Sequence, residues 1–284
     1  MLVTGLCFVA VTATVKMVGD GVPSAQAAFL RYALGLVFLL PMIPAIRRVT
    51  FSRRTLGLFG LRGVVHAAGV FCWFYAMARL PIAEVTAMNY LVPVYVSVLA
   101  VIVLGERMAQ RRIIAVAIAL FGALIILRPG FRDLNTGHLA MLFTALAFAV
   151  GYLIAKIMAD ETPAAVVVFM LSVTVTIGLA PFAVLEWVPV GAREIGLLFL
   201  TGLFATVGHY TMTLAFSAAP LTVTQPVTFL QLVWATLLGV MAFDEALDGF
   251  VVFGGALIIS AVSFIALREA TLRKRAAARA HENA

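Results

Sequence analysis

Long apolar runs separated by short polar stretches dominate this chain. A membrane-spanning helix needs about 20 apolar residues, with some slack for tilt or for burial inside a bundle. Ten segments follow this pattern, at residues 2–18, 27–46, 56–78, 84–104, 112–128, 138–157, 163–186, 195–216, 221–243 and 249–267. The pattern therefore predicts an all-α integral membrane protein with ten transmembrane helices.

The second half of the chain repeats the first. Corresponding residues recur at an offset of 139 or 140: Lys16, Phe29, Pro81 and Glu106 correspond to Lys156, Phe169, Pro220 and Glu245. Because each half holds five predicted spans, an odd number, the two copies must cross the membrane in opposite directions. We therefore predict two inverted repeats, 1–130 and 138–267, and a basic tail at 268–284. Inverted repeats are common in secondary transporters.

Composition agrees with a membrane protein. Hydrophobic residues make up 63% of the chain and charged residues 12%, which is too little polar surface to cover a soluble globule. The net charge of +7 comes from short basic clusters between apolar runs, which indicate topological anchors and no nucleic-acid surface. Placing most of these clusters in the cytoplasm predicts two cytoplasmic termini and a bacterial-type inner membrane. The clusters are Arg47-Arg48, Arg53-Arg54, Arg111-Arg112 and Arg273-Lys274-Arg275.

Motifs of enzymatic or metal chemistry are missing from the sequence. It contains no Walker lysine loop, no His-Glu-x-x-His, no GxSxG and no carboxylate cluster with metal-ligand spacing. Cys7 and Cys72 lie within apolar runs, without the spacing of metal ligands. We therefore expect no enzymatic activity, no catalytic residues, no metal and no cofactor.

Ionisable side chains inside the predicted spans are the first functional candidates, because such groups are costly in a membrane and usually face the bundle interior. The histidine side chain ordinarily titrates near neutral pH, so His66 and His209 suit proton coupling, with an interhelical hydrogen bond as the alternative. Arg31 needs a partner, either a substrate carboxylate or phosphate or the carboxylate of Glu84.

Amide and aromatic side chains complete the candidate substrate-binding set. The amides suit a polar substrate, although interhelical hydrogen bonds would satisfy them equally well. Tyr95 and Trp234 correspond by the repeat offset and suit stacking of a planar or cationic ligand, with core packing as the alternative. The full candidate set is Arg31, His66, Trp73, Asn89, Tyr90, Tyr95, His209, Gln225, Gln231 and Trp234.

A family resemblance rests on the stretch from Phe74 to Gly130 and its degenerate second copy from Leu214 to Glu245. The residues that carry it are Tyr75-Ala76-Met77-Ala78, Pro81, Leu104-Gly105-Glu106-Arg107 and Leu127-Arg128-Pro129-Gly130. They resemble the drug/metabolite transporter superfamily, specifically ten-span proteins with two EamA-type repeats. The resemblance implies a central cavity beside helices three, four, eight and nine, and alternating access by rocking of the halves. The second copy departs from the pattern at Phe243-Asp244-Glu245 and at Leu232, which replaces Pro93.

These observations predict a secondary transporter of a small polar or aromatic metabolite. The many aromatic residues and the lack of an acidic binding group favour uptake of a planar vitamin-like or adenosine-containing compound, of the riboflavin or S-adenosylmethionine type. Export of amino acids or related metabolites is the alternative, and a structural membrane subunit or an intramembrane enzyme is the competing class. Expected partners are the small-molecule substrate and the lipid bilayer; proton coupling and a homodimer stay open.

Overall fold

The fold was described from a computed structural model, which covers residues 1–47, 49–104, 110–128, 134–159, 162–218 and 230–282. Its α-helices are α1 Leu2–Val18, α2 Ser24–Gly35, α3 Arg53–Met77, α4 Ile82–Asn89, α5 Leu91–Leu104, α6 Gln110–Leu127, α7 Thr136–Ala159, α8 Ala164–Leu185, α9 Ala192–Ala218, α10 Leu230–Phe243 and α11 Gly249–Glu282. A 3₁₀ segment, Leu36–Met42, and a short helical turn, Ile43–Ile46, prolong α2. No strand occurs among the described residues.

The helices match the ten predicted spans. Within the described ranges, six helical segments are long and apolar enough to cross a membrane: Leu2–Gly21, Ser24–Pro41, Arg53–Met77, Thr136–Ile154, Ala165–Leu185 and Ala192–Met212. Four shorter apolar helices coincide with the other predicted spans: Ile82–Val96, Ile113–Leu127, Gln231–Phe243 and Gly249–Ile265. Large apolar side chains stay exposed outside the bundle, as at Leu185 and Met241, each 80% exposed. The predicted all-α membrane fold is confirmed.

Helix boundaries follow from local chemistry. Ser52 caps α3, because its hydroxyl oxygen accepts a hydrogen bond from the backbone N–H of Thr55 at 3.1 Å. The fourth predicted span is interrupted at Tyr90, between α4 and α5. Pro93 has no backbone N–H to offer the carbonyl of Asn89, four residues earlier, so the regular helix cannot continue through this point.

The two halves pack reciprocally. The third helix of each half contacts the first helix of the other, α3 against α7 and α9 against α1. The second helices, α2 and α8, contact each other, as do the fifth helices, α6 and α11. Hydroxyl groups support these contacts: Thr201 donates to Thr14 at 2.8 Å, and Thr144 donates to the Gly69 carbonyl at 3.1 Å. A two-fold relation between the halves requires this exchange of partners.

The last helix is longer than the apolar pattern predicts. The tenth predicted span ends at residue 267, whereas α11 continues to Glu282 through much of the predicted basic tail. This extension is rich in alanine, arginine, lysine and glutamate, which are strong helix formers even where the apolar pattern has ended.

Candidate functional site

A buried group of basic side chains lies deep in the helix bundle. Arg31, Arg62 and His66 are only 7%, 8% and 8% exposed. Tyr32 joins α2 to α3, because its hydroxyl lies 3.2 Å from Nε2 of His66. The guanidinium of Arg31 lies 4.2 Å from the centre of the Tyr32 ring. We refer to Arg31, Tyr32, Arg62, His66 and His209 as the basic cluster.

The helix positions place this cluster at membrane depth and between the halves. Arg62 follows the first residue of α3 by nine positions, or about 14 Å at the rise of an α-helix. His66 lies one turn further along the same face, where Phe148 of α7 stacks on its ring at 4.8 Å between centroids. A Cβ atom on Gly151 would lie 3.9 Å from Nδ1 of His66, which is an ordinary van der Waals distance, so α7 packs beside this imidazole.

His209 brings α9 into the cluster. Its ring meets Phe8 of α1 edge-on at 5.1 Å, and it lies within electrostatic range of Arg31 and Arg62. Arg31 and His209 also line a small cavity of about 20 Å³ between α2, α8 and α9. A Cβ atom on Gly202 would lie 2.9 Å from the carbonyl oxygen of Arg31, so this glycine permits the close approach of α2 and α9.

The two arginines have no counter-ion in the part of the chain that the structure describes. Nε of Arg31 and both Nε and Nη1 of Arg62 are buried without a hydrogen-bond partner there. Glu84, which the sequence offers as a partner for Arg31, lies instead 2.6 Å from Nε2 of His138. A buried cation without a partner is costly, so the arginines indicate a site that a negatively charged group completes.

Ionic contacts join the halves at the face where α1, α3 and α10 end, which we term the ion-pair face. Lys16 Nζ lies 3.1 Å from Oε1 of Glu245, an ion-pair distance without hydrogen-bond geometry, and donates a hydrogen bond to the Leu80 carbonyl at 2.8 Å. Oε2 of Glu245 accepts a hydrogen bond from the backbone N–H of Ile82 at 2.8 Å. One carboxylate therefore ties α10 to α1 and to the start of α4.

Two further ionic contacts tie the same ends together. Arg128, after α6, pairs with Asp248, before α11. Glu84 of α4 pairs with His138 of α7, and both side chains are nearly fully buried. Since each contact joins a residue of the first half to one of the second, the halves are held together at this face.

A larger cavity of about 340 Å³ opens at the same face, between α1, α2 and α3. Its lining includes Asp20, Arg79 and Glu186, so it carries charges of both signs. The guanidinium of Arg79 lies 3.6 Å from the centre of the Tyr75 ring. This cavity has the composition of a polar vestibule, distinct from the basic cluster.

The structure brings together three of the predicted site residues, Arg31, His66 and His209. The interhelical hydrogen bond that is the alternative for His66 is present, to Tyr32. Gln225 lies outside the described residues. The other predicted site residues lie apart from the basic cluster. The Trp73 ring meets the Phe74 ring edge-on. The Tyr90 hydroxyl forms a hydrogen bond with the backbone of Leu232.

The predicted aromatic pair is not in contact. Tyr95 is half-buried against the core and Trp234 is 41% exposed, and no ring contact joins them among the described residues. Gln231 is half-buried near the start of α10. Oδ1 of Asn89 is buried at the interruption between α4 and α5, without a hydrogen-bond partner in the described ranges. Asn89 therefore stays a candidate on structural grounds.

Sequence reasoning missed Arg62, Tyr32 and Phe148. The signal for Arg62 was present, because it is an ionisable residue in an apolar run, four positions before His66. The contributing helices match in part those that the family resemblance implies, because Arg62 and His66 lie on the third span and His209 on the eighth. The second and seventh spans line the small cavity together with the eighth, because Gly35 and Gly202 let α2 lie directly against α9.

Comparisons with known proteins agree with the two-fold architecture. The sequence profile of the EamA-like transporter family matches residues 1–128 and again 135–267. A solved crystal structure superimposes with a TM-score of 0.62 at 21% identity, covering 94% of this chain and 96% of that one.

Three curated relatives align over most of their length. A riboflavin transporter of Rhizobium johnstonii is 34% identical over 87% of this chain and 82% of its own. An S-adenosylmethionine uptake transporter of Rickettsia prowazekii is 26% identical over 89% and 86%. The pseudopaline exporter CntI of Pseudomonas aeruginosa is 26% identical over 89% and 90%.

Proposed function

The chain belongs to the EamA-like transporter family, as its motifs predict, and we propose that it takes up a planar vitamin-like or adenosine-containing metabolite by alternating access. The observation that carries the proposal is the basic cluster, which places hydrogen-bond donors at membrane depth between the halves. Polar groups in such a position usually line a substrate path. The relatives named for riboflavin and S-adenosylmethionine uptake support the substrate class.

We propose that both termini lie in the cytoplasm of a bacterial cell, so that the ion-pair face points outward. The excess of lysine and arginine in the loops of the other face supports this orientation. Arg62 precedes the end of α3 by 15 residues, or about 22 Å along the helix. The basic cluster then lies on the cytoplasmic side of the ion pairs, as expected of a state closed to the outside.

Export is the second candidate function. A relative named as a pseudopaline exporter, of similar length and identity, favours it. Right-side-out and inside-out membrane vesicles that contain the protein separate the two directions. We expect accumulation of a flavin or of S-adenosylmethionine in right-side-out vesicles, whereas accumulation restricted to inside-out vesicles would assign the protein to export.

Ligand-induced thermal stabilisation of the detergent-purified protein is the first test of the substrate class. A compound that binds the folded state raises its stability by mass action, by about 2.7 kcal/mol at a concentration of one hundred times its Kd. We expect flavins or adenosine compounds to raise the unfolding midpoint, and simple amino acids to leave it unchanged. Stabilisation by amino acids alone would favour the exporter.

Stacking on Tyr95 and Trp234 is tested by replacing both residues with alanine. We expect uptake of the planar substrate to fall about threefold to tenfold, since an aromatic contact contributes about 0.5–1.5 kcal/mol beyond its buried area. The matched control is Phe182→Ala, which removes an aromatic ring that is 60% exposed on α8. Uptake of every planar substrate at the original rate in the double variant would eliminate this pair from the site.

Proton coupling through His66 or His209 is tested by the pH dependence of uptake. His66 faces Tyr32, Phe148, Arg31, Arg62 and His209. A proton on His66 would therefore change the electrostatic potential throughout the basic cluster. We expect the pH profile between weakly acidic and weakly basic conditions to flatten in His66→Ala or His209→Ala. His281→Ala is the control, because that residue lies in the basic tail, beyond the predicted spans. Two unchanged profiles would remove the histidines from the coupling mechanism.

A further inference from the structure

We infer that the substrate carries an oxyanion, a carboxylate or a phosphate, which binds between Arg31 and Arg62. This inference rests on the proposed function and narrows its substrate class. Both arginine side chains are more than nine-tenths buried, and three of their nitrogen atoms have no hydrogen-bond partner in the described part of the chain. The oxyanion supplies the negative charge and the acceptors that these atoms lack.

The surroundings of the arginines do not offset their charge. Arg62 lies within electrostatic range of Tyr152 and Tyr32, neither of which is a carboxylate. His66 and His209 carry either no charge or a positive one. Neither arginine forms an ion pair with a carboxylate among the described residues, so the cluster favours a negatively charged group of a ligand.

Guanidinium groups suit this role better than other basic side chains. Their planar fork of N–H donors matches the two oxygen atoms of a carboxylate or phosphate in a bidentate arrangement. A purely structural arginine at this depth would instead donate to backbone carbonyls or pair with a carboxylate of the chain. Neither contact is formed by Arg31 or Arg62 within the described ranges.

A ligand with an oxyanion and the same ligand without it provide the sharpest test. Flavin mononucleotide carries a phosphate that riboflavin lacks, and S-adenosylmethionine carries a carboxylate that its decarboxylated form lacks. We expect at least one oxyanion-bearing compound to bind the purified protein about tenfold or more tightly than its matched partner. The pair that shows the difference identifies the anionic group as phosphate or carboxylate.

Variants then assign the effect to the arginines. Arg31→Gln and Arg62→Gln keep a polar side chain but remove the charge, and we expect each to abolish the preference for the oxyanion-bearing compound. Arg79→Gln is the control, because Arg79 is exposed and stacks on Tyr75 in the vestibule. Equal binding of both members of every pair, or a preference that survives in both arginine variants, would overturn the inference and leave the transporter assignment intact.

The stability of the ligand-free protein gives a readout that does not depend on transport. Removing a buried charge without a partner relieves a cost, so we expect the unfolding midpoint of Arg62→Gln to stay level or rise by about 2–4 °C. A structural arginine would give the opposite result. If no compound binds and both arginine variants unfold at lower temperature than the original protein, the oxyanion site is wrong, whatever the protein transports.

Discussion

Replacing Glu245 with glutamine is expected to open the ion-pair face and to lower uptake about tenfold. The Glu245 carboxylate pairs with Lys16 and accepts the Ile82 N–H, thereby joining the second half to the first. Glutamine keeps an acceptor for Ile82 but removes the charge that holds Lys16. A hydrogen bond to a charged group, such as the one from Ile82 to this carboxylate, contributes about 1.5–3 kcal/mol, and each 1.4 kcal/mol changes a two-state population about tenfold.

Two measurements report this change. Uptake in vesicles reports the transport cycle, and labelling of a cysteine at Ala27 reports access to the vestibule, which that residue lines. With Cys7 and Cys72 replaced by serine, we expect a membrane-impermeant thiol reagent to label the Ala27→Cys protein faster when Glu245→Gln is present. The reason is that the protein then spends more time with its ion-pair face open.

Controls separate the role of this pair from a general effect of lost charge. Glu194→Gln removes a similar carboxylate from a local pair with Arg193, which does not join the halves. It should leave both uptake and labelling unchanged. Labelling and uptake that stay at their original values in Glu245→Gln would show that this ion pair does not hold the face closed.

The spans were predictable because their signals are local in sequence, and the repeat because corresponding residues can be aligned along the chain without knowledge of the fold. Apolar runs of membrane length identify helices without knowledge of their neighbours. The interruption at Tyr90 was also within reach, since Pro93 lies inside the predicted span and removes a helical hydrogen bond. The spans and this interruption depend on residues that are close together in the chain.

The functional contacts were harder to predict because they join residues that are distant in sequence. Taken alone, Lys16 suggests a lysine that reaches toward the membrane surface, and Glu245 suggests a loop residue. Only the packing of α10 against α1 and α4 brings the two together. Likewise, the sequence offers Glu84 as a partner for Arg31, whereas in the structure Glu84 contacts His138.

The arrangement of the basic cluster also depends on contacts between residues that are distant in sequence. Arg31 and His209 are more than 170 residues apart in sequence, and they share a cavity because Gly35 and Gly202 allow α2 and α9 to touch. The histidines were recognisable by their depth in apolar runs, but their arrangement around two arginines depends on helix packing. A search that treated every ionisable residue in a span alike would have included Arg62.

Substituting alanine for Gly254 is expected to destabilise the folded bundle by about 1–3 kcal/mol, the usual cost of overpacking a tight interface. A Cβ atom at this position would lie 2.7 Å from Cγ1 of Ile126 and 2.5 Å from the carbonyl oxygen of Gly122. The first contact could relax by side-chain movement. The second involves backbone, so α6 and α11 would have to move apart.

The reciprocal substitution tests whether the loss of stability comes from the contact between α6 and α11. A Cβ atom on Gly122 would lie 2.7 Å from the carbonyl oxygen of Gly254, so Gly122→Ala should lower the unfolding midpoint by a similar amount. The matched control is Gly60→Ala on α3, where nothing lies within 4 Å of the added atom. Alanine favours a helix over glycine by up to about 1 kcal/mol, so this control should be neutral or stabilising.

Comparing the three midpoints distinguishes helix propensity from helix packing. If propensity dominated, alanine would raise the midpoint at all three positions, because all three glycines lie within helices. If the backbone contact dominates, Gly122→Ala and Gly254→Ala fall while Gly60→Ala does not. The second pattern would establish that α6 and α11 need glycine at their contact because the membrane supplies little hydrophobic force to hold two helices together.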